Sequence, residues 1–384
     1  MFRTDRFAAA LAVIGYSGML LCGAGTPADA QQGKKKPAAP KPAAQKKPAA
    51  PKPAPQTKPQ AAATGPIVLG TTQLPGDFGK FGQTYTLGKR EPLNFTLVSA
   101  RYSVERFSLG NNTWVPKADQ KLLILRYTVH NPNPRDTGYY WADLRFTAVD
   151  AQDTNHDFIQ AVARAGKYDA PLSITLKPAQ KIECEAAILV SADGPTPKLI
   201  VERERGAPVV RYDLRGKVAP VPAPFADPAV ADGATTRAEV PVVAGTYVPL
   251  SSFDVKLEST GSLNEPVLRR ELKPGYRNYT ATFTIKNATQ SKKSYYWSHF
   301  NAELRDADGE KVPFTQSLLK ASRLEAASGE LAPGEEARIR FFFPLPENVE
   351  AKTLYLKDQY DTGGKGRILA FDLSTAPAGS VQGG

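Results

Sequence analysis

Apolar side chains fall on every second position at Leu123, Leu125, Tyr127 and Val129, with Arg126, Thr128 and His130 between or after them. Tyr279, Ala281, Phe283 and Ile285 repeat the arrangement against Thr280, Thr282, Thr284 and Lys286. A period of two belongs to a strand with one buried face, because successive side chains leave a pleated strand on opposite sides. A later run alternates Ile182, Cys184, Ala186 and Ile188 with Glu183 and Glu185, and it has a counterpart in Ala337, Ile339, Phe341 and Phe343 beside Arg338 and Arg340. Turn-forming clusters separate these runs: HNPNPRD, DADGE, LKPAQ, LAPGE and DTGGKG. Short strands at this spacing predict an all-β chain built as sandwiches. The stretch FTQSLLKASRL, residues 314–324, is the place where one short helix is expected.

The runs occur twice. YTVHN at Tyr127–Asn131 matches FTIKN at Phe283–Asn287 at an offset of 156, and the tripeptide YYW at 139–141 and 295–297 keeps that offset, as do Asp150 and Asp306. Leu176-Lys177-Pro178 matches Leu331-Ala332-Pro333 at 155, and Asp213-Leu214 matches Asp372-Leu373 at 159. Small drifts in offset are changes of loop length, and a period this long predicts tandem domains rather than a solenoid. Cys184 falls where the second copy has Ile339, which predicts a buried apolar role for its side chain.

An asparagine closing an alternating strand, an aromatic strand ending in ELRDADG, the strand LAPGEEARIRFFFPLP and a terminal ILAFDLS resemble the telokin-like, immunoglobulin-related domain of bacterial secreted proteins and lipoproteins. The resemblance covers about 90–215 and 247–375. The second copy carries it through Gly309, Gly334 and Glu335, whereas the first has Asp153 and Ala179 where the glycines stand. It implies two tandem immunoglobulin-like sandwiches of about seven to nine strands each and an exported location. It implies no catalytic residues.

The net charge of +11 is unevenly spread. Eight lysines and no acid lie in residues 31–64, so everything from Gly65 onward carries only +3, which argues against a specific nucleic-acid binder. That Lys/Pro/Ala-rich stretch is expected to be a disordered spacer reaching up to roughly 100 Å at about 3.1 Å per residue. It could touch anionic envelope polymers or lipid head groups, or be solvated without a partner. Ahead of it, Arg3 and Arg6, the apolar run 7–24 and Ala28-Asp29-Ala30 form the pattern of an export signal cleaved after Ala30, an uncleaved anchor being the alternative. No later stretch is long and apolar enough to cross a bilayer. A second Pro/Ala-rich stretch, 217–242, divides the remainder into a first domain at 65–216 and a second at 243–376, followed by a flexible tail at 377–384.

Signatures of catalysis are scarce. The three histidines, 130, 156 and 299, have no metal-ligand spacing, and no phosphate loop or nucleophile elbow is present. DADGE reads as a hairpin turn, since it lacks the later ligands of a calcium loop. Neither a metal nor another cofactor is expected. The candidate binding residues surround the repeated tripeptide. A regular strand would place Tyr139, Trp141, Asp143 and Arg145 on one outer face, with Tyr140, Ala142, Leu144 and Phe146 inside. In the second copy it would place Tyr295, Trp297, His299 and Arg305 outside, with Tyr296, Phe300, Ala302 and Leu304 inside. Exposed Tyr–Trp pairs beside charged groups suit sugar stacking or a protein hot spot, while a bulge at the strand entrance would instead turn the Trp inward. Together these features predict an exported, non-enzymatic binding or structural module of the cell envelope, with an unidentified envelope protein or polysaccharide as partner. The alternative is an enzyme or accessory subunit acting on envelope polysaccharide, with Glu303 and Asp306 near the aromatic platform.

Overall fold

The computed structural model describes residues 70–379 except Thr72 and Pro75. The expected signal, its cleavage site, the Lys/Pro/Ala spacer and most of the C-terminal tail lie outside the described residues. The chain is all-β. In the first half the strands are β1 (Thr84–Leu87), β2 (Leu93–Ser103), β3 (Phe107–Leu109), β4 (Asn112–Trp114), β5 (Gln120–His130) and β6 (Thr137–Tyr140). They are followed by β7 (Arg145–Val149), β8 (Asn155–Arg164), β9 (Ser173–Leu176), β10 (Lys181–Ser191), β11 (Lys198–Glu202) and β12 (Val210–Asp213). Strands pair in the order β1-β2-β5-β10-β8-β7-β11-β12. The long β8 turns the sheet back on itself, its first residues pairing β7 and its later ones β10. The alternating residues meet between the two layers: Tyr127 of β5 lies 5.1 Å from Phe146 of β7, ring centre to ring centre, and Phe95 of β2 lies 6.3 Å from Tyr212 of β12. This is sandwich packing, driven by removal of one apolar face per strand from water. On the outer face of β5, Leu122 and Ile124 are covered as well, in a small cluster with Phe107 and Leu109 of the β3–β4 hairpin.

After β13 (Val218–Ala219) and β14 (Glu239–Val242) come β15 (Val248–Leu250), β16 (Phe253–Leu263), β17 (Tyr276–Asn287), β18 (Lys293–Tyr295) and β19 (Phe300–Asp306). The last strands are β20 (Lys311–Pro313), β21 (Leu319–Lys320), β22 (Gly329–Leu331), β23 (Glu336–Pro346), β24 (Ala351–Asp358) and β25 (Ile368–Asp372). They form one sheet in the order β15-β16-β17-β23-β21 and another in the order β14-β25-β24-β19-β20. Phe283 of β17 meets Phe371 of β25 at 5.1 Å, and Phe300 of β19 meets Phe341 of β23 at 5.6 Å. The position that β8 fills in the first half is divided here between β20 and β21. The short helix expected over 314–324 does not form. Gln316 has φ +55°, Leu319 and Lys320 pair with β23, and Leu318 and Leu319 are buried in different clusters, so neighbouring apolar residues serve opposite sides of a strand.

Residues 217–242 do more than connect. β13 pairs β2, β14 pairs β25, and Val221, Phe225 and Val240 are buried. Pro and Ala dominate the composition, but these few larger apolar residues anchor the stretch. Both halves belong to one compact unit. Arg106 of the first half donates to the carbonyls of Ser251 and Phe253 and pairs with Asp254, while buried Arg367 of the second donates to the carbonyl of Gln120.

Asn131 and Asn287, both fully buried, close their strands in the same way. Asn131 Nδ2 donates to the carbonyls of Arg135 and Leu176 at 2.9 Å, and Asn287 Nδ2 donates to those of Ser291 and Leu331 at 2.8 and 2.9 Å. Asp150 and Asp306 likewise each accept two turn N–H groups, which is the hairpin reading of DADGE. Asp153 and Ala179 adopt φ of +59° and +60°, the left-handed conformation that Gly309 and Gly334 adopt at +84° and +77°. A Cβ is disfavoured there by roughly 1–2 kcal/mol, partly offset by the chain entropy a glycine would lose. Ala179→Gly is therefore expected to stabilise the exposed turn by about 0.5–1 kcal/mol, read as a higher urea midpoint at unchanged slope.

Candidate functional site

Each YYW tripeptide stands where the chain leaves one sheet for the other. β6 pairs β9 and β7 pairs β8 and β11, so the corner falls between Tyr140 and Arg145. In the second half the corner is a 3-10 turn, Trp297–His299, between β18 and β19. The strand is thus not regular across the tripeptide, and the expected phase is lost at that point. Phe146, Leu144, Phe300, Ala302 and Leu304 are buried as expected, but the tyrosines upstream are exchanged.

Tyr139, expected outside, is fully buried, with its hydroxyl 3.0 Å from that of Tyr127; Tyr140, expected inside, is 53% exposed. Tyr139 is therefore a core residue and no binding residue. Tyr295 is half-buried against the core, and Trp141 packs partly against it in the first half. Tyr296 and Trp297 are 38% and 42% exposed. Trp297 and Arg145 keep their expected exposure. Arg305 pairs with Glu303 and lies over the Tyr355 ring, six residues and roughly 20 Å of extended strand from His299. Glu303 also pairs with Lys311, and Asp306 is used in its turn, so neither carboxylate joins the aromatic corner.

The two corners share one hydrogen-bond pattern. Asp143 Oδ2 accepts the backbone N–H of Tyr140 at 2.9 Å, and His299 Nδ1 accepts that of Tyr296 at 3.2 Å. Both residues stand three places after the second tyrosine, and each returns its own N–H to that tyrosine's carbonyl. A side-chain acceptor is needed there because the turn takes an N–H out of the ladder. Where that acceptor is imidazole, Nδ1 must be unprotonated.

His299 is 7% exposed and held between two rings, Tyr296 at 4.2 Å and Tyr360 at 4.4 Å between centroids. Burial lowers its pKa, with the Tyr296 backbone and then the Asp361 and Asp358 carboxylates pulling the other way and Lys293 assisting burial. A hollow of about 230 Å³ opens beside it, lined by Lys292, Lys293, Ser294, Tyr296, Tyr360 and Asp361. Asp361 is held in place by the hydroxyls of Ser251 and Ser252. Tyr360, 62% exposed, had no signal in the sequence beyond its place before the turn cluster DTGGKG. The arrangement offers ring faces, two ammonium groups and an oriented carboxylate, a set suited to stacking and hydrogen bonding.

No protein-family model and no curated protein matches the chain. Among solved structures, an uncharacterised β-sandwich protein from Clostridium difficile 630 is similar at 13% identity over 35% of this chain and 93% of its own, with a TM-score of 0.24. A secreted protein from Mycobacterium tuberculosis is similar at 16% identity over 36% and 96%, with a TM-score of 0.26.

The remaining chemical groups are tied into the fold. His130 Nδ1 lies 3.0 Å from Asn94 Nδ2, His156 pairs with Asp150 at 2.9 Å, and burial pushes the Cys184 thiol up to about 12. Among the described residues there is no cluster of metal-ligating side chains, and no helix is long and apolar enough to cross a membrane.

The lowered His299 pKa has a definite sign in stability. In the unfolded chain the group titrates near 6.5. Below that pH the unfolded chain takes up a proton that the folded chain refuses, so stability is complete above about 6.5 and falls as pH drops toward the lowered folded value. His299→Asn retains a neutral acceptor for the Tyr296 N–H and should flatten that part of the curve, measured as the difference between the two proteins' thermal melts from pH 7 to pH 5.

Proposed function

We propose that this chain is an exported, non-enzymatic binding module of the cell envelope, in which two tandem immunoglobulin-like units are carried on a basic spacer and the second unit's aromatic corner contacts the partner. The observation that carries the contact surface is the pair Tyr296 and Tyr360, solvent-facing aromatic side chains that line a hollow in which His299 is locked, with exposed Trp297 next to Tyr296 in the chain. Large exposed aromatics are costly to leave in water and are enriched where proteins meet sugars or other proteins. The non-enzymatic reading is supported by the structural bonds that engage all three histidines and by the buried thiol. The tandem-copy reading is supported by the shared Asn, Asp and corner hydrogen bonds at matching positions. The telokin-like resemblance and the export reading rest on residue patterns, the latter on residues 1–30.

The partner is an envelope protein or polysaccharide. Immobilised full-length protein would be exposed to solubilised envelope fractions, with retained material read by mass spectrometry and glycan analysis. Trp297→Ala and Tyr360→Ala together should abolish the specific retention, Trp297→Ala changing stability by about 0.5 kcal/mol and Tyr360→Ala by about 0.5–1.5 kcal/mol through its lost ring contact with His299. Equal retention by the double variant would exclude this corner as the contact surface.

A further inference from the structure

At the first half's corner the side chain that corresponds to His299 is Asp143, and here the turn joining β1 to β2 and the turn joining β11 to β12 enclose a cleft of about 720 Å³. That volume is in the range of small-ligand sites. Its acids are already engaged. Glu204 accepts the N–H groups of Lys89 and Arg90 at 3.1 and 3.2 Å, Asp143 accepts that of Tyr140, and Glu91 pairs with Arg135 at 3.5 Å.

Its cations are not engaged to the same degree. Among the described residues Lys89 Nζ donates only to the carbonyl of Gly206, at 3.3 Å. The exposed side chains of Arg90 and Arg205 make no hydrogen bond or ion pair among the described residues. Arg203 is half-buried; its Nε and Nη1 are closed off from solvent and have no hydrogen-bond partner among the described residues, which leaves Nη2 as its outward atom, and Asp143, Glu204 and Glu91 favour its charge from nearby. Its stem lies against Gly88, which has φ +89° and where a Cβ would come within 2.7 Å of Arg203 Cδ. The glycine thus makes room for the arginine and satisfies none of its donors. A desolvated guanidinium with unused donors is unfavourable by itself, and an oxyanion meeting its outward Nη2 would supply a charge-assisted hydrogen bond.

We propose that this cleft binds a compact oxyanion, the carboxylate or phosphate of a small acidic ligand, with Arg203 as the fixed cation and Lys89, Arg90 and Arg205 as its rim. The site is separate from the second half's aromatic corner and does not depend on that corner's role.

Full-length protein titrated calorimetrically at pH 7 and constant ionic strength, with inorganic phosphate in one arm and glucuronate in the other, distinguishes the two oxyanions. Saturation of one site per chain by at least one probe is expected. Arg203→Gln should weaken that binding at least tenfold, and Arg203→Lys, which keeps the charge, should weaken it less. All variants share the lysines of 31–64, so differences among them report on the cleft. If Arg203→Gln does not fold, the rim double variant Arg90→Gln/Arg205→Gln is expected to weaken binding at least threefold. Absence of one-site saturation by both probes overturns the proposal, as does wild-type affinity in folded Arg203→Gln or, where that variant fails to fold, in the rim double variant.

Discussion

Tyr139→Ala should cost about 3–5 kcal/mol of stability, whereas Tyr140→Ala, one residue along, should change it by no more than about 0.5 kcal/mol. The first truncation empties a fully buried site and removes the hydroxyl that faces Tyr127 at 3.0 Å. The second removes a ring that is 53% exposed. Tyr139→Phe separates the two components of the first effect, since it keeps the volume and loses only the hydroxyl contact, worth about 1 kcal/mol. Chemical denaturation of the three variants measures all of this directly. Because a regular strand through the tripeptide would reverse the order of the two alanine variants, an early-melting Tyr140→Ala beside a near-native Tyr139→Ala would refute the corner.

Asn287→Ala is expected to cost about 3 kcal/mol, well above the average for a single substitution. Its amide nitrogen supplies the carbonyls of Ser291 and Leu331, and its oxygen accepts from the N–H and hydroxyl of Thr289, so alanine leaves several buried groups without this partner at once. The asparagine also ties the end of β17 to the turn before β23, where the Asn287 N–H meets the Glu335 carbonyl. Asn287→Asp keeps the acceptor but turns a carboxylate oxygen toward the Ser291 and Leu331 carbonyls at a fully buried site, and is expected to destabilise at least as much as alanine. Asn131→Ala should behave like Asn287→Ala, because its amide bonds the carbonyls of Arg135, Leu176 and Lys177. A loss below about 1 kcal/mol in both alanine variants would show that water replaces these bonds, contrary to their complete burial.

Much of the fold was readable from alternation alone. The period-two residues of β5, β10, β17 and β23 line the layers between sheets because a half-buried strand admits only one phase over a long run. The same logic placed Cys184 in the core opposite Tyr127, as Ile339 stands opposite Phe283. Asp153 and Ala179 looked from sequence like departures from the glycines of the second half, and the structure shows that they keep the same positive φ.

Alternation failed where the strand ended. At Tyr139–Trp141 and Tyr295–Trp297 a turn changes the phase, and two adjacent tyrosines are equally apolar under either phase, so composition held no information about which one faced inward. The candidate sites were less legible still. Tyr360 and Asp361 reach His299 across 61–62 positions of sequence, and Arg203 reaches the Gly88 turn across 115. Local periodicity therefore determined the strands, their buried faces and the turn chemistry of this protein. Tertiary structure alone decided which corner residues are exposed and which charges share a cleft, because those outcomes depend on loops brought together by sheet pairing, and no local pattern encodes that distance.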